Sequence, residues 1–515
     1  MAKLPNDNIE TARAFHEITN HSYTSVRSGA HVLDWGNRPL PYKIYPDAGT
    51  LNLPRGLTLS EMPTLAALRE ETSAPADTQL DLESLTRLLF CADGLTRRVR
   101  VGAEDYHFRA AASAGALYPI EIYIAAAEVD GLEPGLYHFS PADLKLRGLR
   151  RGDWRPLLAG AAAMRASVAQ ARAVLVVSAI FWRSAWKYRT RAYRYCFWDA
   201  GTILANLLAT ANAERIEAEA VTAFEDARVE SLLEVDGERE GIVCMVALGR
   251  TGPATAASPQ LSPLELETIP LSPREVVYDD LVKLHRESRL TSAAEVSAVA
   301  SAAIDLAATR ASTAAEIVRP EVLGPEAGMG LGATILRRGS TRIFTREPIS
   351  AEELATIMAA SSQHPRVGFR RLSDTYLIIN AVDGMKPGAY YYRRESAEFE
   401  LLKPGNFRDE AGYLGLEQPL AADCSALICY MADLERALAA LGNRGYRDAH
   451  LEAGILGGRA YLAAYSLERG ATGLTFYDQD TSRFFAPHAA GKSPLLMVAV
   501  GVPRSRATHS EAANS

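Results

Sequence analysis

Apolar residues along this chain gather into runs of two kinds, and each kind occurs twice. The short runs Ile242 to Leu248 and Pro494 to Val500 are rich in Val and Met, are each closed by a glycine, and predict buried strands. The longer runs, Asp199 to Ala213 and Glu452 to Glu468, are apolar around most of their circumference and predict buried helices. Two amphipathic helices are signalled by their first turns: Leu80-Asp81-Leu82-Glu83-Ser84-Leu85 and Ile349-Ser350-Ala351-Glu352-Glu353-Leu354 each place a capping residue ahead of an apolar stripe. In both halves the order is helix, strand, turn, strand, long apolar helix, closing strand.

This recurrence is an internal repeat. Pro134-Gly135-Leu136-Tyr137 matches Pro387-Gly388-Ala389-Tyr390, 253 residues on, and Arg191-Ala192-Tyr193-Arg194 matches Arg444-Gly445-Tyr446-Arg447 at the same spacing. Asp199-Ala200-Gly201 and Glu452-Ala453-Gly454 continue the match. The pattern predicts an α+β class, two similar domains in tandem, with the apolar helices as the contact of an intrachain pseudo-dimer. The expected boundaries are residues 1–250 and 331–515 for the domains. Between them, 251–330 turns towards Pro, Ser, Ala and Thr and reads as linker and surface helices, notably Ser292 to Ala315.

Composition narrows the function classes. A net charge of −7 with dispersed Lys and Arg removes the footprint of a nucleic-acid binder. Even the apolar stretch Ala173 to Trp182 is too short to span a membrane, and Met1 to Pro5 has no signal core, so a soluble cytoplasmic protein is expected. Five cysteines without Cys-x-x-Cys spacing read as buried thiols, and no His, Asp or Glu cluster has metal spacing. His16, His21 and His488 read as structural. No Gly-x-Gly-x-x-Gly follows a strand, which argues against a Rossmann nicotinamide domain.

Three segments carry candidate chemistry. Ser113-Ala114-Gly115-Ala116-Leu117-Tyr118-Pro119 leads into the strand Ile120 to Ala125, and its small residues let backbone approach a flat ligand. Arg337-Arg338-Gly339-Ser340-Thr341-Arg342 offers three guanidinium groups and a hydroxyl, a set suited to a phosphate dianion. Lys187-Tyr188 lies in an arginine-rich stretch whose counterpart in the second half is Ala440-Leu441. Taken alone, these segments read as a small-residue turn, a solvated basic turn, and a surface cation beside a core tyrosine. The halves differ in a complementary way: Leu68-Arg69-Glu70-Glu71-Thr72-Ser73 stands where the second half has its arginines, and Arg371 to Tyr376 stands where the first has its small-residue loop.

Together the segments resemble the SagB/ThcOx-type (McbC-like) azoline dehydrogenase branch of the FMN-dependent nitroreductase superfamily. Phe15 to His21, Leu33-Asp34-Trp35 and Tyr193-Arg194-Tyr195 agree with it. The resemblance implies two nitroreductase-like domains, each a central, mostly antiparallel sheet flanked by helices, with FMN between them. It assigns Ser113, Ala114, Gly115 and Ala116 to the flavin ring. Arg337, Arg338, Ser340 and Arg342 fall to the phosphate, with Arg504 and Arg506 in support, and Gly473, Leu474 and Thr475 lie near the reactive ring nitrogen. Lys187 and Tyr188 become the catalytic pair, the lysine pKa lowered by neighbours such as Arg183, Arg189 and Arg191. One competent FMN site per chain is expected. The implied reaction is dehydrogenation of an azoline or similar group on a peptide or natural product, with electrons passed to dioxygen. Alternatives are an NAD(P)H-dependent nitro or quinone reductase and a non-catalytic scaffold of a biosynthetic complex. The segment before Phe15 is too short for a leader-recognition domain, which leaves peptide selection to a biosynthetic partner protein.

Overall fold

The computed structural model describes residues 4–29, 31–69, 79–101, 104–252, 257–302 and 316–504. Both amphipathic helices form as their first turns require. Ser84 N donates to Asp81 Oδ1 (2.7 Å) ahead of the helix Leu82–Asp93, and Glu353 N donates to Ser350 Oγ (3.2 Å) ahead of Ala351–Ser362.

The first half contributes β1 (Gly49–Asn52), β2 (Leu95–Val101), β3 (Glu104–Arg109), β4 (Ile120–Ala126), β5 (Gly135–Ser140), β6 (Lys145–Arg151), β7 (Ala173–Ile180), β8 (Ala218–Val221) and β9 (Glu240–Leu248). The second contributes β10 (Ile317–Val318), β11 (Ile349–Ser350), β12 (Ser373–Ile379), β13 (Val382–Asp383), β14 (Gly388–Arg393), β15 (Glu398–Pro404), β16 (Ala426–Ala432), β17 (Gly470–Leu474) and β18 (Ser493–Gly501). Two seven-stranded antiparallel sheets result, ordered β1-β6-β5-β4-β7-β9-β8 and β10-β15-β14-β12-β16-β18-β17. The orders superimpose strand for strand, so the chain holds two copies of one α+β domain. Strands β4, β7, β9, β12 and β16 are buried along their whole length. Cover on both faces explains why they read as continuous apolar runs rather than alternating ones. The hairpin β2–β3 stands outside both sheets.

The two central helices, Ala192–Ala213 and Arg444–Ser466, run against each other and begin seven and eight residues before the predicted starts at Asp199 and Glu452. Their polar first turns are buried because the arginines there are paired across the contact. Arg191 and Arg194 of the first half hold Asp478 of the second (2.9 and 2.8 Å), while Arg444 and Arg447 of the second hold Asp226 of the first, the latter at 3.2 Å. The exchange is reciprocal, and all six side chains are at most 4% exposed. Where the helices cross, a Cβ added at Gly201 would stand 2.5 Å from the Gly454 carbonyl carbon, and one at Gly454 would stand 2.6 Å from the Trp198 oxygen. Only glycine permits so close a crossing.

A second exchange surrounds the first. His16, on the helix Glu10–Ile18, reaches the Tyr446 hydroxyl (3.4 Å), and His285, on Asp279–Glu287, reaches that of Tyr193 (3.2 Å). Within the stretch 251–330, Asp279–Glu287 therefore buries Leu281, Val282, Leu284 and His285, whereas Ala293–Ser301 buries only Val296; residues 303–315 lie outside the described ones. One hydrophobic cluster spans both halves and takes in both central helices, and a second lies among Tyr123, Val174, Val176 and Trp154. All five cysteines are buried and unpaired, and among the described residues no helix is long and apolar enough to cross a membrane.

Burial pushes the Asp478 carboxyl up, but Arg191 and Arg194 outweigh it and hold its pKa below the ordinary carboxylate value. Asp478→Ala strands two buried guanidinium groups and should cost about 3–5 kcal/mol. Asp480→Ala, at the surface of the same helix, should cost under about 1 kcal/mol. Urea unfolding of both variants measures the difference, and equal losses would reject a structural role for the exchange.

Candidate active site between the halves

The small-residue loop after β3 is held from behind by one face of the first central helix. Asp199 accepts Ser113 Oγ–H (2.6 Å) and the Ala114 N–H (3.0 Å), and Ser113 Oγ accepts the Tyr118 N–H (2.9 Å). Thr202 Oγ1 donates to Ala112 O (2.6 Å), and Asn206 Nδ2 to Ala110 O (3.1 Å). Positions 199, 202 and 206 share a helix face, so one rigid element sets the loop. The loop takes up left-handed backbone at Gly115 (φ 67°), Ala116 (φ 53°) and Tyr118 (φ 50°), a conformation costly for the last two. Burial pushes the Asp199 carboxyl up to about 7, against its hydrogen bonds from Ser113 and Ala114, and Asp93 adds to the rise.

Lys187 and Tyr188 end the helix Phe181–Tyr188 and face this loop. A Cβ at Gly115 would lie 2.7 Å from Tyr188 Oη and 3.3 Å from Lys187 Nζ, which makes Gly115 the point of closest approach. Tyr188 packs edge-on against Tyr195 (4.4 Å between centroids), and Tyr195 Oη donates to Thr475 Oγ1 of the second half (3.3 Å). Burial raises the Tyr188 pKa, keeping it a proton donor at working pH. For Lys187, burial and then the charge of Arg342 lower the pKa. None of the three arginines expected to do this contributes: Arg183 is buried against Glu121, Arg191 against Asp478, and Arg189 is exposed.

The second half supplies the arginine segment at the end of the helix Leu331–Arg337. Arg337 turns outward to Glu468 (2.7 Å). Arg338 crosses to the first half, where Nε donates to Ala110 O (2.8 Å) and Nη2 to Arg109 O (2.6 Å), anchoring the approach to the small-residue loop. Ser340 and Thr341 approach the hydroxyls of Tyr461 (3.4 Å) and Tyr465 (3.1 Å), whose rings stack. Thr341 N donates to Ala471 O (3.0 Å), Gly473 N to Tyr461 Oη, and Arg504 N to Ile343 O (3.0 Å). Ser340, Arg342, Gly473, Leu474, Thr475 and Arg504 are thus gathered on neighbouring segments. Arg342 and Arg504 are exposed, without an ion pair among the described residues, and Gly115 and Gly473 are exposed too. Uncommitted guanidinium groups beside hydroxyls and open glycine backbone suit a phosphate-bearing, flat ligand such as FMN. Arg506 and residues 70–73 lie outside the described ones.

The pseudo-equivalent position keeps the scaffold and loses the opening. Glu452 accepts Ser373 Oγ–H (2.7 Å) and the Leu372 N–H (3.0 Å), as Asp199 does for its loop. Ala220, the counterpart of Gly473, has its N–H taken by Arg366 O (2.9 Å) and its carbonyl by Gly368 N (2.8 Å). The second half's own backbone fills that place.

Fold and site together define two tandem α+β domains that share one opening between them. The nitroreductase family model matches residues 76–250 and 335–502, more than half of the chain, and the chain belongs to that family. A crystal structure of a nitroreductase-named protein from Anabaena variabilis covers 96% of this chain and 99% of its own, with a TM-score of 0.76 and 25% identity. A nitroreductase-named protein of Methanocaldococcus jannaschii is 29% identical over 36% of this chain and 86% of its own length. The trifolitoxin-processing protein TfxB of Rhizobium leguminosarum bv. trifolii is 29% identical over 32% of this chain, and the match spans only 45% of that protein.

Reading the sequence missed what holds the site: Asp199, Thr202 and Asn206 behind the loop, and the Tyr461–Tyr465 pair. The tyrosines carried a signal, since their counterparts 253 residues earlier are Leu208 and Asn212. Because Asp199 stays protonated in the fold after the unfolded chain has ionised near pH 4, its stabilising contribution is full below about pH 4 and is lost as pH rises through about 7. The stability of the native chain relative to Asp199→Asn should therefore fall across that interval. A difference flat with pH would show that Asp199 does not titrate there.

Proposed function

We propose that the protein is an FMN-dependent dehydrogenase that oxidises an azoline or similar ring on a peptide or natural-product intermediate. The observation that carries this reading is the convergence of Lys187 and Tyr188 on Gly115, beside Arg342 from the other half. Ser340, Arg342 and Arg504 would hold the phosphate while Arg338 keeps its tie to the ring loop, and Ser113 to Ala116 with Gly473 to Thr475 would border the ring. FMN, when bound, supplies the acceptor for a hydride. Aromatising an azoline breaks two bonds to hydrogen, so a proton leaves as well as the hydride. Lys187 would take that proton, its lowered pKa enlarging the free-amine fraction near neutrality. Tyr188, still protonated, orients the ring by hydrogen bonding. The likeness to a protein named for trifolitoxin processing supports a peptide substrate and a biosynthetic partner.

The nitroreductase-named relatives favour a second reading, reduction of nitro compounds or quinones by NAD(P)H. Anaerobic mixing with NADPH separates the two: flavin bleaching within a turnover time would favour the reductase.

Flavin released from the purified holoprotein should amount to one FMN per chain, falling to a small fraction in Arg342→Ala/Arg504→Ala; two per chain would refute the single composite site. Against a thiazoline peptide, Lys187→Ala should lose about 100-fold or more in kcat with flavin retained. Arg342→Gln removes a cation that lowers the Lys187 pKa, so the rising limb of the kcat–pH profile should move to higher pH. An unmoved limb would dissociate Arg342 from the base.

A further inference from the structure

The turn that follows Lys187-Tyr188 occurs twice in this chain, once with function beside it and once without. After the helix Phe181–Tyr188, Arg189 closes the turn with φ 52° and ψ −139°, its N–H donating to Ala185 O. After the corresponding helix Leu434–Leu441, Gly442 closes it with φ 66° and ψ −156°, its N–H donating to Leu438 O. This backbone region is essentially reserved for glycine, because a Cβ meets its own main chain there. In the second half glycine serves twice over, since the Asn6 carbonyl would lie 2.3 Å from a Cβ at Gly442. The first half puts the same turn under an arginine. That residue is strained and exposed, and among the described residues no ion pair or hydrogen bond of its side chain offsets the strain.

The other arginines of this stretch make the contrast plain. Arg183 and Arg191 are buried against Glu121 and Asp478, and Arg194 shares Asp478. Their places follow from packing; that of Arg189 does not. It lies one residue from Tyr188 and two from Lys187, the pair that in the second half is Ala440-Leu441, ahead of the glycine. Catalytic pair and strained arginine are thus present together in one half and replaced together in the other.

We propose that Arg189 is a substrate-binding residue whose guanidinium receives a carboxylate of the molecule held against Lys187. The inference rests on the proposed function, deepens it by giving the substrate an anionic group, and assigns the backbone strain to that binding role. Guanidinium matches carboxylate in a two-pronged, charge-assisted contact that neither lysine nor a neutral side chain reproduces.

Benzoate and benzamide, flat rings of nearly equal shape that differ in charge, serve as probes, and their binding to the FMN-loaded protein is read from perturbation of the flavin visible spectrum. The native protein should bind benzoate about tenfold more tightly than benzamide. Arg189→Gly and Arg189→Ala should lose that preference, and Arg189→Lys should keep a fraction of it. In thermal unfolding of the same preparations, Arg189→Gly should raise the Tm above that of the native chain and Arg189→Ala should not, since alanine keeps the strain. Equal affinities in the native protein, or a preference that survives in Arg189→Gly, would overturn the binding role. A lower Tm in Arg189→Gly would overturn the strain argument. Flavin bound without carboxylate preference rejects this proposal alone, whereas a chain that takes up no FMN rejects the proposed function with it.

Discussion

The structure depends on the reciprocal pairing of Arg191 and Arg194 with Asp478 and of Arg444 and Arg447 with Asp226. Each half presents buried cations that only the other half can neutralise. A lone half would expose the apolar face of its central helix to water and lose the carboxylate that pairs with its arginines, a state costly enough to make separate folding unfavourable. The glycines at the helix crossing add a steric condition to the electrostatic one, because Gly201 and Gly454 allow backbone contact at one register only. Since one apolar cluster runs through both halves, the pairing fixes the relative placement of the sheets and so of everything built between them.

What is built between them is lopsided. Loop-holding carboxylates survive in both halves, as Asp199 and Glu452, and so do the arginine pairs, the crossing glycines and the histidine–tyrosine contacts. Features that face the opening survive in one. Lys187-Tyr188, the glycine-bearing loop, Gly473, the tyrosine pair and the arginine segment with Arg342 have as counterparts Ala440-Leu441, Arg371 to Tyr376, a backbone bridge at Ala220, Leu208 with Asn212, and an acidic stretch.

Much of this was legible in the sequence, for physical reasons. A buried antiparallel sheet covered on both faces prints unbroken apolar runs, and capped helices print their first turns, so the repeat and the α+β class could be read directly. Helix starts fall late when polarity is equated with exposure, because Arg191, Arg194, Arg444 and Arg447 are buried. The segments Ser113 to Ala116 and Arg337 to Arg342 were visible as compositions, but a composition does not say where a side chain turns. Arg337 pairs outward with Glu468, Arg338 serves as a tie to the Arg109 and Ala110 carbonyls, and only Arg342 of the three is left uncommitted beside Lys187. Likewise Arg183 and Arg191 could not be recognised as core residues without their partners.

A tandem chain allows a divergence that a symmetric dimer does not. In a homodimer every substitution appears at both sites, so a residue that helps one helps or harms the other equally. Fusion breaks that coupling: the second copy of the turn after Lys187-Tyr188 can take glycine and let Asn6 pack against it, while the first keeps an arginine in backbone that glycine would relax. The chain thereby contains its own control. Positions alike in both halves mark what the pseudo-dimer needs to fold, and positions that differ in the direction of greater strain or greater exposed charge mark what the single opening needs to work.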